Sequence, residues 1–284
     1  MHTIELADGL RAPATSLAPG IDSYFPMRIS VLDHGYVGLV ETWGSDERIV
    51  EAARMSTGKG FLGWEPGSCP ICSGFGSSAP VDKISCIACS GKGTVAGDAK
   101  LLRYLYEHKH STPFEMAGMV IEVQAPIFAF REWHRHRTQS YAEMSARYTP
   151  LPNLNYIPTI ERLMMNAGAG NKQAGTVAGA GALTEDAAKH FLMNLRLFYD
   201  DAQIVYEAAL KDGVPKELAR VHLPVGRYSR MRACANLRNW LAFLTLRMDE
   251  AAQWEIRQFA NAVGVLIAER YPRTWQLFAE GRAQ

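Results

Sequence analysis

With 284 residues, 48% hydrophobic and 21% charged, the chain is long enough for one large domain or two small ones around a substantial core. A net charge of +1 excludes the global basic field that draws nucleic acid or a membrane surface, and no apolar run approaches the roughly 20 residues that span a bilayer. Residues 1–26 lack a cationic start followed by an apolar stretch, so a cytoplasmic setting is expected rather than a secretory one.

In chain order, residues 28–32 and 36–42 read as short strands around a turn at Asp33, His34 and Gly35. Asp46 is a candidate N-cap for a helix through Met55. Residues 58–97 are rich in Gly, Ser and Pro and read as an insertion between two helices. Asp98 then caps a helix with Leu101, Leu102 and Leu105 on its apolar side. A strand over 119–124 ends at Pro126 and leads into a helix over 127–137. The Gly/Ala tract at 167–182 has no periodic apolar face and reads as a loop. A long helix runs from Thr184 to about Leu210, and Pro215 opens a short one. Two further helices are expected over 236–247 and 249–270. The fold class is α+β, with helices packed around a modest mixed sheet in a single domain over 1–284.

The insertion carries two copies of Cys-x-x-Cys-x-Gly-x-Gly, from Cys69 to Gly76 and from Cys86 to Gly93. Each cysteine pair supplies one edge of a tetrahedral ion, and the glycines let backbone amides turn toward the thiolates. Cys69, Cys72, Cys86 and Cys89 are therefore expected to hold a structural Zn2+ within residues 66–94, a segment too small for its own core. The pattern resembles the zinc-binding repeats of DnaJ-type chaperones. A partner-recruiting role for the same segment is the alternative.

The run from Arg135 to Tyr148 concentrates the chemistry. Arg135, His136 and Arg137 are followed by hydroxyls, Glu143 and Arg147, all between apolar segments, and polar groups in such a place need partners. If the segment is helical, Ser140, Glu143 and Arg147 share a face. The plain reading is then a solvated helix with Glu–Arg pairs. Three adjacent cationic side chains point in different directions, which suits two ligands or two subunits meeting there.

This block closely resembles the signature of the flavin-dependent thymidylate synthases, the ThyX family: Arg-His-Arg, two residues, Ser, any, Asn, Glu, any, Ser, any, Arg. It departs only at Ala142, where the signature has Asn. His110-Ser111-Thr112-Pro113-Phe114-Glu115 resembles the family's flavin-contacting element. Asn236-Leu237-Arg238 with Leu246-Arg247 resembles its C-terminal helix, and Gln253-Trp254-Glu255-Ile256 matches an element read as structural. The resemblance covers about residues 28–278, apart from the insertion and the Gly/Ala tract.

The resemblance implies a tetramer with shared active sites, using FAD, with NADPH and 5,10-methylenetetrahydrofolate as co-substrates, to convert dUMP to dTMP. It places Arg247 on the pyrimidine as the catalytic residue, and Glu132, Glu143, Ser145, Ala146, Arg147 and Arg220 around the nucleotide. It assigns His110, Thr112, Glu115, Arg135, His136, Arg137, Glu143, Asn236 and Arg238 to the flavin. No protein nucleophile is needed: Ser145 lacks an adjacent base, and Cys234, the one unpaired cysteine, reads as structural.

Ala142 and Ala242 remove hydrogen-bonding capacity, and Glu132 stands where a Gln often contacts the nucleotide. An ionised Glu only accepts hydrogen bonds, which favours the amino group of cytosine over the carbonyl of uracil. A relative acting on dCMP, or making a 5-hydroxymethyl nucleotide, is therefore the alternative, unless Glu132 pairs with Arg131 or Arg135 away from the base. An alternative of another class is a zinc-dependent binding module on a degenerate scaffold.

Overall fold

The structure, a computed structural model, describes residues 25–77, 85–165 and 183–282. The chain begins with β1 (Arg28–Val31), β2 (Gly35–Trp43) and α1 (Asp46–Arg54), and the insertion follows with β3 (Gly67–Ser68) and β4 (Thr94–Val95). Next come α2 (Ala99–Glu107), α3 (Ser111–Phe114), β5 (Gly118–Pro126), α4 (Ile127–Trp133) and β6 (Ser140–Glu143). The second half carries α5 (Ile160–Met164), α6 (Glu185–Lys211), α7 (Lys216–Ala219) and β7 (Tyr228–Asn236). It closes with α8 (Leu237–Arg247), α9 (Trp254–Arg270) and α10 (Pro272–Arg282). The predicted Gly/Ala loop lies outside the described residues.

The main sheet has the order β1-β2-β5-β7-β6 and is antiparallel in every pairing, where a mixed sheet was expected. Its central strands alternate strictly. Met119, Ile121, Val123 and Ala125 on β5, and Met231, Ala233 and Ala235 on β7, face the core, while Arg230 and Arg232 point out. Against that inner face pack fully buried rings of α4, α8 and α9: Trp133, Trp240, Phe243 and Phe259. Trp133 stacks on Phe243 with centroids 4.7 Å apart. Burying side chains of this size stabilises by roughly 2–3 kcal/mol each. Gly35, where the chain enters β2, cannot be larger: a Cβ would lie 2.6 Å from the Val31 carbonyl and 2.9 Å from the Phe259 ring.

The register of β5 and β7 decides where the site falls. Gly118 faces Asn236 and Pro126 faces Tyr228, so the two strands finish at opposite ends of the antiparallel pair. Each passes directly into a helix. Pro126, with no N–H to contribute, precedes α4, and the Asn236 side chain caps α8 by accepting from Asn239 N at 3.0 Å. The two helices therefore run back toward each other beneath the sheet, and their C-terminal ends meet.

Several local expectations change. Ser45, not Asp46, caps α1 by accepting from Arg48 N at 3.3 Å. The Asp46 carboxylate is buried and takes Arg273 N and the Thr274 backbone and hydroxyl, which docks α10. Asp98 makes no side-chain cap to α2. Its fully buried carboxylate accepts from the Arg54 guanidinium and from Leu62 N at 2.8 Å, fastening the root of the insertion to α1. Trp64 adds a bond to Glu47 at 3.0 Å and lies under the Arg273 guanidinium.

The helix predicted over 127–137 stops at Trp133, and the one predicted from 249 starts at Trp254. Residues 140–143 form an edge strand, not a helix, because β7 offers a free ladder and tertiary pairing outweighs local spacing. Strand β7 and helix α10 had no counterpart in the sequence reading.

Asp98→Ala would leave the Arg54 cation and the Leu62 amide uncompensated. The expected cost is about 3 kcal/mol or more, read as a fall in the denaturant midpoint.

Candidate functional site

Where α4 and α8 converge, Arg247 at the end of α8 reaches across to the end of α4. Its Nε donates to His136 Nε2 at 2.9 Å, one terminal nitrogen donates to the Glu132 carboxylate at 2.7 Å, and the other to the Glu132 backbone carbonyl at 2.8 Å. That carbonyl belongs to the last turn of α4, which has no helical partner for it, so Arg247 acts as a C-cap on a second helix. Because Nε2 accepts, His136 is neutral with its proton on Nδ1. Burial and the adjacent guanidinium hold its pKa down at about 4. Its ring also meets the Phe243 ring edge-on at 4.9 Å. Glu132 thus pairs with Arg247 and not with Arg131 or Arg135.

The turn between α4 and β6 is braced by residues that the sequence reading passed over. The Tyr141 hydroxyl donates to the Trp133 and His136 carbonyls at 3.2 and 2.7 Å, and Asn239 Nδ2 holds the Thr138 carbonyl at 3.2 Å. Gln139, buried, accepts from the Trp133 indole at 3.0 Å. A Tyr following the Ser of the signature was the one signal available in the sequence for this brace. Arg135 and Arg137 remain exposed on the turn, and among the described residues neither has an ion-pair partner.

A second cluster lies toward the end of α2. Leu105, Tyr106, Lys109, His110, Phe114 and Arg238 are among the residues lining a cleft of about 140 Å3. Lys109 sits there in a left-handed conformation, φ +56°. Arg238 donates to Glu115 at 2.6 Å, which brings together three of the residues expected around the flavin; Thr112 is exposed on α3 next to them. Asn236 is close in sequence, but its side-chain oxygen is used as the α8 cap.

The remaining expected nucleotide ligands are more dispersed. Arg147 pairs with Glu217 of α7 at 3.3 Å, the Ser145 hydroxyl accepts from Arg147 N, and Arg220 follows α7 directly. Glu143 and Ala142 are exposed on β6, Ala146 is buried, and Ala242 is exposed on α8. Burial pushes the Cys234 thiol pKa up, which disfavours a thiolate there.

Residues 38–273 match the family model described as thymidylate synthase complementing protein. The chain belongs to the flavin-dependent thymidylate synthase family. It is 38% identical to the flavin-dependent thymidylate synthase of Thermus thermophilus, over 90% of this chain and 79% of that one. It is 34% identical to that of Thermosipho melanesiensis, over 89% and 93%. Among solved structures, the UMP/dUMP methylase PolB of Streptomyces cacaoi bound with 5-Br UMP superposes with a TM-score of 0.66 at 28% identity, covering 88% of this chain and 96% of that one.

Within this thymidylate synthase family chain, the insertion builds a separate centre. The four sulfurs of Cys69, Cys72, Cys86 and Cys89 lie within 4.8 Å of one another, all buried. Cys69 and Cys86 are 3.9 Å apart and Cys72 and Cys89 3.7 Å. A tetrahedral ion with Zn–S bonds of about 2.3 Å needs about 3.8 Å along each edge. Gly76 N and Gly93 N donate to Cys72 and Cys89 at 3.2 and 3.3 Å. Both glycines are obligatory, because a Cβ would fall 2.4 Å from the Gly91 carbonyl at Gly76 and 2.3 Å from the Gly74 carbonyl at Gly93. The donor set, its spacing and its burial fit zinc.

The depressed pKa of His136 has a direct consequence for stability. The unfolded histidine, near its ordinary 6.5, takes up a proton before the folded one does at about 4, so stability is fully present above 6.5 and lost as pH falls toward 4. Protonation also removes the acceptor for Arg247 Nε and sets two cations together. At most about 3 kcal/mol is at stake. The thermal midpoint should drop more steeply between pH 6.5 and 4 in the wild type than in His136→Asn.

Proposed function

We propose that this protein makes dTMP from dUMP, taking the one-carbon unit of 5,10-methylenetetrahydrofolate onto C5 of the pyrimidine, with FAD as cofactor and NADPH as reductant. The observation that carries the reading is the Arg247 guanidinium. It is fixed by His136 and by the α4 carbonyl at the heart of the block that matches the family signature, and its remaining side-chain partner is the partly exposed Glu132 carboxylate. Family membership, and a structural neighbour crystallised with a brominated UMP, support the substrate class.

In this reading Arg247 draws negative charge onto N3 and O2 of the ring, which raises electron density at C5. Arg147, Ser145 and Arg220 take the nucleotide phosphate, with Arg as the natural bidentate partner. Arg238, with His110, Thr112, Glu115 and Asn236, suits an anionic, aromatic cofactor in a cleft that joins Lys109 and Arg238 to an apolar floor, and the exposed Arg135 and Arg137 on the turn offer further cationic donors to it. When bound, the flavin supplies the hydride that reduces the transferred carbon. The residues of this chain bind and orient; His136 serves by holding Arg247.

The four-cysteine centre holds a structural zinc ion that fastens the insertion. The protein works as a homotetramer in the cytoplasm. Among the described residues β6 has no outer partner, and this edge and the exposed apolar side chains along α6 (Phe191, Leu197, Phe198, Ile204 and Val205) support assembly. No helix among the described residues is long and apolar enough to cross a membrane.

Purified protein given methylenetetrahydrofolate and NADPH should add one methyl group to dUMP and leave dCMP unchanged by mass spectrometry. In Arg247→Ala, kcat/KM should fall by about 100-fold or more. Modification of dCMP instead would overturn the substrate assignment. For the insertion, elemental analysis should give one zinc per chain, and its chelation should lower the thermal midpoint by roughly 5 °C.

A further inference from the structure

The three contacts on Arg247 are not equivalent. Two of them, to His136 Nε2 and to the Glu132 backbone carbonyl, come from a neutral ring and from main chain at the end of α4. They fix the guanidinium whatever the Glu132 side chain does. The third comes from a flexible charged side chain that is 40% exposed, whereas Arg247 is only 15% exposed. The carboxylate is therefore the more solvent-accessible of the two partners.

The surroundings leave the carboxylate as the only counter-charge. His136 is neutral, Arg131, Arg135 and Arg137 are cations, and among the described residues no other carboxylate bonds Arg247. A guanidinium only 15% exposed is costly to leave unpaired, and the Glu132 carboxylate neutralises it. A pyrimidine that gathers negative charge on N3 and O2 needs the same N–H donors.

We propose that the Glu132 carboxylate is a resident anion on Arg247 which the pyrimidine nucleotide displaces on binding. Glu132 then sets nucleotide affinity as an internal competitor, and the site accepts only ligands able to displace a carboxylate already in place. A protein whose binding-competent state is a minor population binds more weakly by that fraction. The inference rests on the reading that Arg247 takes the pyrimidine.

The test is calorimetric titration of dUMP into flavin-loaded wild type, Glu132→Gln, Glu132→Ala and Arg247→Ala, with flavin content and thermal midpoint as folding controls. Both Glu132 variants should bind dUMP about tenfold more tightly, as for a competent state populated one time in ten. Glu132→Ala keeps the backbone carbonyl and cannot touch the base itself. Unchanged or weaker binding in both variants, with binding lost in Arg247→Ala, overturns the competitor alone and makes Glu132 a positioning group. Tighter binding by Gln but not by Ala also overturns it, because Gln would then be making a new contact. Wild-type affinity in Arg247→Ala overturns the underlying reading of the site.

Discussion

Two helices that leave opposite ends of one antiparallel strand pair have to meet, and their C-terminal ends bring unpartnered carbonyls and negative dipole ends to one place. A single guanidinium answers that demand. Arg247 belongs to α8 yet closes α4, and the Trp133–Phe243 stack beside it keeps the two helices in contact. The same side chain is therefore a structural cap and the residue proposed to meet the pyrimidine. Conformational rigidity at Arg247 follows from helix termination and needs no separate device.

This dual use of one residue bears on which parts were legible in the sequence. The long helix from Thr184 and the helix over 236–247 were legible from local spacing, and their bounds were close, although the capping roles of Thr184 and Asn236 were not read. The signature block showed which residues cluster but not their backbone. Ser140, Glu143 and Arg147 share helical spacing, yet Ser140–Glu143 pair with β7, since edge pairing is a long-range effect that local spacing does not encode. Strand β7 was hidden for a related reason. Its inward residues include the small Ala233 and Ala235, and its outward arginines, Arg230 and Arg232, are the exposed half of an alternation that carries little apolar signal. Asp46 and Asp98 both precede helices and read as caps, but their carboxylates serve partners more than 30 residues away, which sequence spacing cannot reveal.

The insertion follows a different physical rule. Its buried cluster consists of the four cysteines with Leu62 and Ala88, apart from the main core. With so little apolar area to bury, a segment of this size has no core comparable to that of the sheet and helices, and its order rests on the cysteine cluster. Its mechanical link to the body is narrow: Asp98 with Arg54, and Trp64 with Glu47 and Arg273. Such a link fixes the start of α2, the helix whose other end lines the cleft with Leu105 and Tyr106.

Charge pairing separates the structural cations from those proposed to bind ligands. Arg54 is committed to buried Asp98 and Arg162 to buried Glu255, where each pair holds two elements together. The Glu255 partner set, which includes Tyr156 and Gln253, makes that residue structural. In the signature block the pattern inverts. Arg135 and Arg137 stay exposed without an ion pair among the described residues, although the turn beneath them is braced by Tyr141 and Asn239. Ordering a turn that then presents unsatisfied cations has no benefit to folding, and fixed donors gain most from an anionic ligand because little reorganisation remains when it arrives. Arg247 lies between these cases, held like a structural residue and yet covered only by a carboxylate that solvent can reach.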